Sequence, residues 1–127
     1  MQTYALNNWT CKPTGPLCVP AGDDRRFIFT VRDQWGDLVD ISGAQEIRIV
    51  VSVRLGETPI LDKTLTGGEV WVSTNNYQFW FKITSAESLL LPLRGYYEIQ
   101  LTNSDGDKGT IRSGPIRAPK TMIEEIE

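Results

Sequence analysis

The residues of this 127-residue chain with chemistry to offer are four tryptophans, two cysteines and sixteen acidic side chains, and there is no histidine. Without histidine, Ser-His-Asp and Cys-His arrangements lack the base that activates their nucleophile. Zinc sites of the Cys/His type need about four ligands, more than two cysteines can supply. The sequence contains no Gly-x-Ser-x-Gly elbow, phosphate loop or dinucleotide fingerprint. Two carboxylates about 5 to 10 Å apart would suffice for glycoside cleavage. The acids, however, gather at turns: Asp23 with Asp24, Asp37 with Asp40, Asp105 with Asp107. An acid in a turn usually serves its own backbone. Asp105-Gly106-Asp107 also lacks the extended ligand ladder of a calcium loop. The expectation is a protein that is not an enzyme and uses no cofactor or metal.

Binding chemistry is better represented. Trp80 alternates out of phase with Tyr77, Phe79 and Phe81, between polar Gln78 and Lys82. Trp35 sits inside the turn signal Asp33-Gln34-Trp35-Gly36-Asp37, and Trp9 in an aperiodic N-terminal region. An exposed indole can stack on a sugar ring or anchor a protein partner, or it can cover a sheet edge. Met122, Ile123 and Ile126 stand beside Glu124, Glu125 and Glu127, an apolar side that a partner explains better than water does. Trp9, Trp35, Trp80, Met122, Ile123 and Ile126 are therefore the candidate contact residues. Cys11 and Cys18 bracket Lys-Pro-Thr-Gly-Pro-Leu, a sequence that favours reversal. They could close a disulfide, or remain free thiols acting as small hydrophobes.

Strand periodicity has to position these residues. Phe27, Phe29 and Val31 alternate with Ile28, Thr30 and Arg32; Ile47, Ile49, Val51 and Val53 alternate with Arg48, Val50, Ser52 and Arg54. Shorter strands are expected at 38–41, 60–65 and 70–72, and longer ones at 77–83, 96–101 and 110–116. Thr84-Ser85-Ala86-Glu87 has capping-box spacing for one short helix before Pro92. Asn103-Ser104-Asp105-Gly106 is a hairpin turn. Gly95-Tyr96-Tyr97 after a short connector has the form of a tyrosine corner. Together these predict an all-β, immunoglobulin-like antiparallel β-sandwich of seven or eight short strands. It would occupy residues 25–117, between an N-terminal arm, leading loop or extra edge strand (1–24) and an acidic C-terminal tail (118–127). Its core would comprise Phe27, Phe29, Val31, Ile47, Ile49, Val51, Phe79, Phe81, Ile99 and Leu101.

Acidic residues outnumber basic ones 16 to 13, giving a formal net charge of −3 without a basic stripe, so no nucleic-acid partner is expected. No apolar run approaches the roughly 18 residues that cross a bilayer, so no membrane partner is expected. The first residues lack a secretory pattern, which points to synthesis in the cytoplasm.

One further pattern concerns the C-terminal half. Leu93-Arg94-Gly95-Tyr96-Tyr97-Glu98-Ile99-Gln100-Leu101 is followed by Asp105-Gly106 and by Gly109-Thr110-Ile111-Arg112-Ser113-Gly114-Pro115-Ile116. Upstream lie the Phe27–Val31 strand and Asp37-Leu38-Val39-Asp40-Ile41-Ser42-Gly43-Ala44. Over about residues 23 to 117 this resembles the N-terminal sandwich domain of phage baseplate upper proteins and related small phage structural modules. The resemblance implies a bacteriophage virion structural protein of the tail, baseplate, connector or capsid decoration. Such a protein is made in the host cytoplasm, forms a homo-oligomer and docks other phage structural proteins. The alternative is a carbohydrate or host-receptor binding module that uses Trp35 or Trp80.

Overall fold

The structure, a computed structural model, describes residues 2–5, 17–33, 35–54 and 56–119, with the backbone alone for 2–5. Its strands are β1 (Gln2–Ala5), β2 (Leu17–Cys18), β3 (Arg25–Arg32), β4 (Glu46–Ser52), β5 (Leu61–Thr64), β6 (Val70–Val72), β7 (Gln78–Ile83), β8 (Arg94–Thr102) and β9 (Lys108–Arg117). One helical turn, α1 (Ser85–Ser88), lies between β7 and β8. The strands form a four-stranded sheet in the order β1-β3-β7-β6 and a five-stranded sheet in the order β2-β9-β8-β4-β5. Lettered along the chain, the first sheet is A-B-E-D, and the second places C, F and G side by side. This is the immunoglobulin-like β-sandwich. Pairing is antiparallel except where β2 runs parallel to β9.

Among the described residues nine strands form where seven or eight were expected, because residues 1–24, read as an arm, a leading loop or an extra edge strand, contribute two edge strands. Gln2–Ala5 pairs with β3 and Leu17–Cys18 with β9, both within the same chain. Leu17 and Val19 are fully buried, so residues 17–21 belong to the core rather than to an arm. The parallel ladder also runs past β2: Val19 N–H donates to the Arg117 carbonyl and Ala21 N–H to that of Pro119, each at 2.8 Å. The expected strand at 38–41 shrinks to an isolated bridge between Arg32 and Leu38. Ile41 is nonetheless buried, and its N–H donates to the Asn76 carbonyl at 2.8 Å.

All ten expected core residues are buried. Alternation delivers them to one face, and register then stacks the rings. Phe29 pairs with Phe79 and Phe27 with Phe81 across β3 and β7, with ring centroids 5.3 and 5.4 Å apart. Tyr97 points inward as expected, but its hydroxyl accepts from Arg112 Nε–H at 2.6 Å. A guanidinium on β9 thus occupies the place that upstream backbone takes in the usual tyrosine corner. The same guanidinium lies 5.4 Å from the Phe29 ring centroid.

The capping box forms as its spacing predicts. Thr84 Oγ1 accepts from Glu87 N–H, and Glu87 Oε1 accepts from Thr84 N–H. Glu87 has a second role that its sequence position does not reveal. Lys63 on β5, nearly fully buried, donates to both carboxylate oxygens at 2.8 and 2.9 Å. One carboxylate therefore caps the helix and neutralises a buried ammonium.

Gly95 is where β8 packs too tightly for a side chain. A Cβ there would stand 2.8 Å from the Ser52 carbonyl oxygen and 3.1 Å from Pro92 Cγ. Gly95→Ala is expected to destabilise the domain by about 1 to 3 kcal/mol, the usual cost of overpacking against backbone. Chemical denaturation checks this, and an unchanged midpoint would mean that β4 and β8 have room to separate.

Candidate interaction surfaces

The outer face of the four-stranded sheet carries a column of side chains built by cross-strand register. Trp71 on β6 pairs directly with Trp80 on β7, and their rings stack at 4.2 Å with an interplanar angle of 22°. Arg26 on β3 places its guanidinium carbon 4.4 Å from the Trp80 ring centroid. Because β7 lies between β3 and β6, the two neighbours approach Trp80 from opposite sides. Trp80 is half-buried, with Trp71 and Arg26 covering its two flanks. The accessible indole of the column is Trp71, 40% exposed on an edge strand. Trp71 alternates with Val70 and Val72 in the sequence, which places it on the outer face of β6.

Trp35 is far more open, at 77% exposed. Its loop is held by backbone service, as acids at turns suggest. Asp33 Oδ1 accepts from Trp35 N–H at 2.9 Å and from Asp37 N–H at 3.0 Å, and Arg32 donates to the Gly36 carbonyl at 2.8 Å. Gly36 has φ of +87°, which favours glycine there. Trp35 lies beyond the C-terminal end of β3, whereas Trp80 faces Ile28 in its middle, so the fold does not unite the two. Two further acids accept from backbone, one within its own turn and one across the fold. Asp40 accepts from Ser42 N–H and Asp24 from Ser85 N–H; the Ser42 hydrogen bonds hold the Asp40 carboxyl below its ordinary value. Cys18 is buried and disulfide-bonded rather than a free thiol. Cys11, Trp9, Met122, Ile123 and Ile126 lie outside the described residues.

A second surface, which sequence reasoning missed, lies on the outer face of the five-stranded sheet. Tyr96, 43% exposed, stands between two concavities. One, of about 410 Å³, is lined by Arg94, Gly95, Tyr96, Pro115, Ile116 and Arg117. The other, of about 200 Å³, is lined by Tyr96, Val50, Pro59, Glu57 and Glu98, among others. The connector from α1 into this face exposes Leu89, Leu90 and Leu93, each more than half accessible. Its Pro92 packs against Gly95 where a Cβ would stand, beside Ile116. Arg94 and Arg117 are direct cross-strand partners and both are exposed. Among the described residues no ion pair engages either one. Like charges placed directly opposite each other on neighbouring strands destabilise a sheet, so this rung is an electrostatic liability for the isolated domain. The signal in the sequence was an aromatic on the polar side of an alternating strand; the facing arginines could emerge only with the register.

No family model matches this chain, and no curated protein matches it. Among solved structures it is similar to a mutant of the SrpA adhesin from Streptococcus sanguinis, with a TM-score of 0.50 and 12% sequence identity over 84% of this chain. The chain spans 56% of that adhesin structure. Murine CRIg is matched at a TM-score of 0.39 and 11% identity, over 84% of this chain and 92% of CRIg.

Proposed function

We propose that this chain is a non-enzymatic structural protein of a bacteriophage virion, acting by protein-protein docking in a multimeric assembly. The observation that carries the reading is the run of exposed large apolar side chains Leu89, Leu90 and Leu93 in the connector leading into β8, followed by exposed Tyr96 on β8 itself. Four large apolar side chains exposed within eight residues, the last of them lining a concave surface together with Arg94 and Arg117, have the composition of an interface rather than of a solvated face. The virion setting comes from the resemblance of residues 23 to 117 to phage sandwich modules. The test is a competition between wild type and a Leu90→Ser/Leu93→Ser variant for incorporation into particles. Both leucines are exposed, so the melting temperature is expected to stay within the change that about 0.5 kcal/mol produces. Incorporation is expected to fall about tenfold or more, as when interface anchors are truncated. Equal incorporation of the two chains would remove the leucine surface from the docking site.

A second reading, a carbohydrate or receptor-binding module, is favoured by the Trp71 indole at the edge of the stacked column. Its prediction is that glycan-array binding exists and disappears in Trp71→Ala while remaining in Trp35→Ala. Absence of binding to any glycan by the wild type would contradict it.

A further inference from the structure

The facing arginines lack an acidic partner among the described residues, and the chain contains one segment of matching chemistry. We infer that the concavity at Arg94, Tyr96 and Arg117 receives residues 120–127 of a second copy of this chain, with its glutamates on the two guanidiniums and its isoleucines against Tyr96 and Pro115. The inference rests on the docking reading and names the partner for that surface.

Three observations support it. The first is charge. Arg94 and Arg117 repel each other across one rung, and a carboxylate between them would turn that repulsion into charge-assisted hydrogen bonding. The segment Lys-Thr-Met-Ile-Glu-Glu-Ile-Glu brings three carboxylates within four positions. The second is apolar complementarity. Ile123 and Ile126 interleave with those glutamates, and the concavity sets Tyr96 and Pro115 among its arginines. The third is direction. Residues 117 and 119 remain in the parallel ladder with residues 19 and 21, which carries the chain onward, away from the Arg94–Arg117 rung. Beyond Pro119 the segment has no Gly, Pro, Asn, Asp or Ser to reverse it. Reaching Arg94 and Arg117 of the same chain would need a reversal for which this segment's composition carries no turn residue, and the inferred occupant is the segment of a neighbouring copy.

Charge reversal on each side tests this with the full chain. Sedimentation equilibrium of the wild type is expected to show concentration-dependent self-association that weakens as salt rises. Arg94→Glu/Arg117→Glu and, separately, Glu124→Lys/Glu125→Lys are each expected to weaken self-association about tenfold or more, equivalent to roughly 1.4 kcal/mol. Mixing the two variants is expected to restore association, because each then offers a surface of the right sign to the other. Circular dichroism melts confirm that both variants fold. Three results would overturn the inference: a wild type that is monomeric at all concentrations, variants that associate like wild type, or a mixture that stays monomeric. None of these bears on whether the chain is present in virions at fixed copy number, so the docking reading can survive the loss of this contact.

Discussion

Phe79→Ala will lower the stability of the domain by about 3 to 5 kcal/mol, the range for deleting a fully buried aromatic ring. In a chain of this size that corresponds to a drop in melting temperature of roughly 10 to 20 °C. Phe79 is completely buried and lies against Phe29, which in turn lies 5.9 Å from Phe81. The ring is thus part of a continuous stack between β3 and β7, and its removal leaves a cavity that neither strand can close without losing register. Phe79→Leu keeps most of the volume and is expected to cost about half as much. Thermal denaturation followed by near-ultraviolet circular dichroism checks both. A melting temperature unchanged in Phe79→Ala would show that the face assignment of β7 is wrong.

Glu87→Ala carries the second large effect, about 3 kcal/mol, because it breaks two things at once. It removes the acceptor for Thr84 N–H at the start of α1, and it leaves the buried Lys63 ammonium without its counter-ion. Replacing the pair by Lys63→Met/Glu87→Gln keeps an acceptor for Thr84 and removes the buried charge, so the double variant is expected within about 1 kcal/mol of wild type. The pair also predicts a pH dependence. Burial by itself raises the Glu87 carboxyl pKa, but hydrogen bonds from Lys63 and Thr84 outweigh it, and the net displacement is below the ordinary value of 4.5. A carboxyl depressed in the folded state contributes stability above its ordinary pKa and loses it as pH falls through the folded value. The wild type should therefore lose this increment progressively below pH 4.5, and the double variant should not. Parallel acid-denaturation slopes in the two proteins would contradict the assignment.

Much of the sandwich was legible because a half-buried strand must alternate. Phe27, Phe29, Phe79 and Phe81 declare their face by spacing, and the capping box declares α1 through Thr84 and Glu87. What remained hidden depends on register between segments distant in sequence. Nothing local says that Trp71 will meet Trp80 and so take over as the accessible indole. Nothing local says that Arg94 will face Arg117, since their pairing is fixed by how β8 and β9 align across the Asn103–Gly106 turn. Lys63 shares the inward phase of Leu61, which reads locally as an error in the pattern. It is resolved only by a carboxylate 24 residues along the chain. The place of Leu17 and Val19 stayed open for a related cause: a two-residue strand between prolines has too little length to show a period.

The central claim, that this domain is a stoichiometric docking component of a virion, is tested most directly by counting copies. Particles released from cells that express this chain from its own genome would be purified on a density gradient, treated with glycosidases to strip host glycans, and analysed by quantitative mass spectrometry against their major capsid protein. The account predicts that the chain remains with the particles at a fixed ratio that is unaffected by glycan removal. Absence from the purified particles, or a ratio that falls with the glycans, would contradict it.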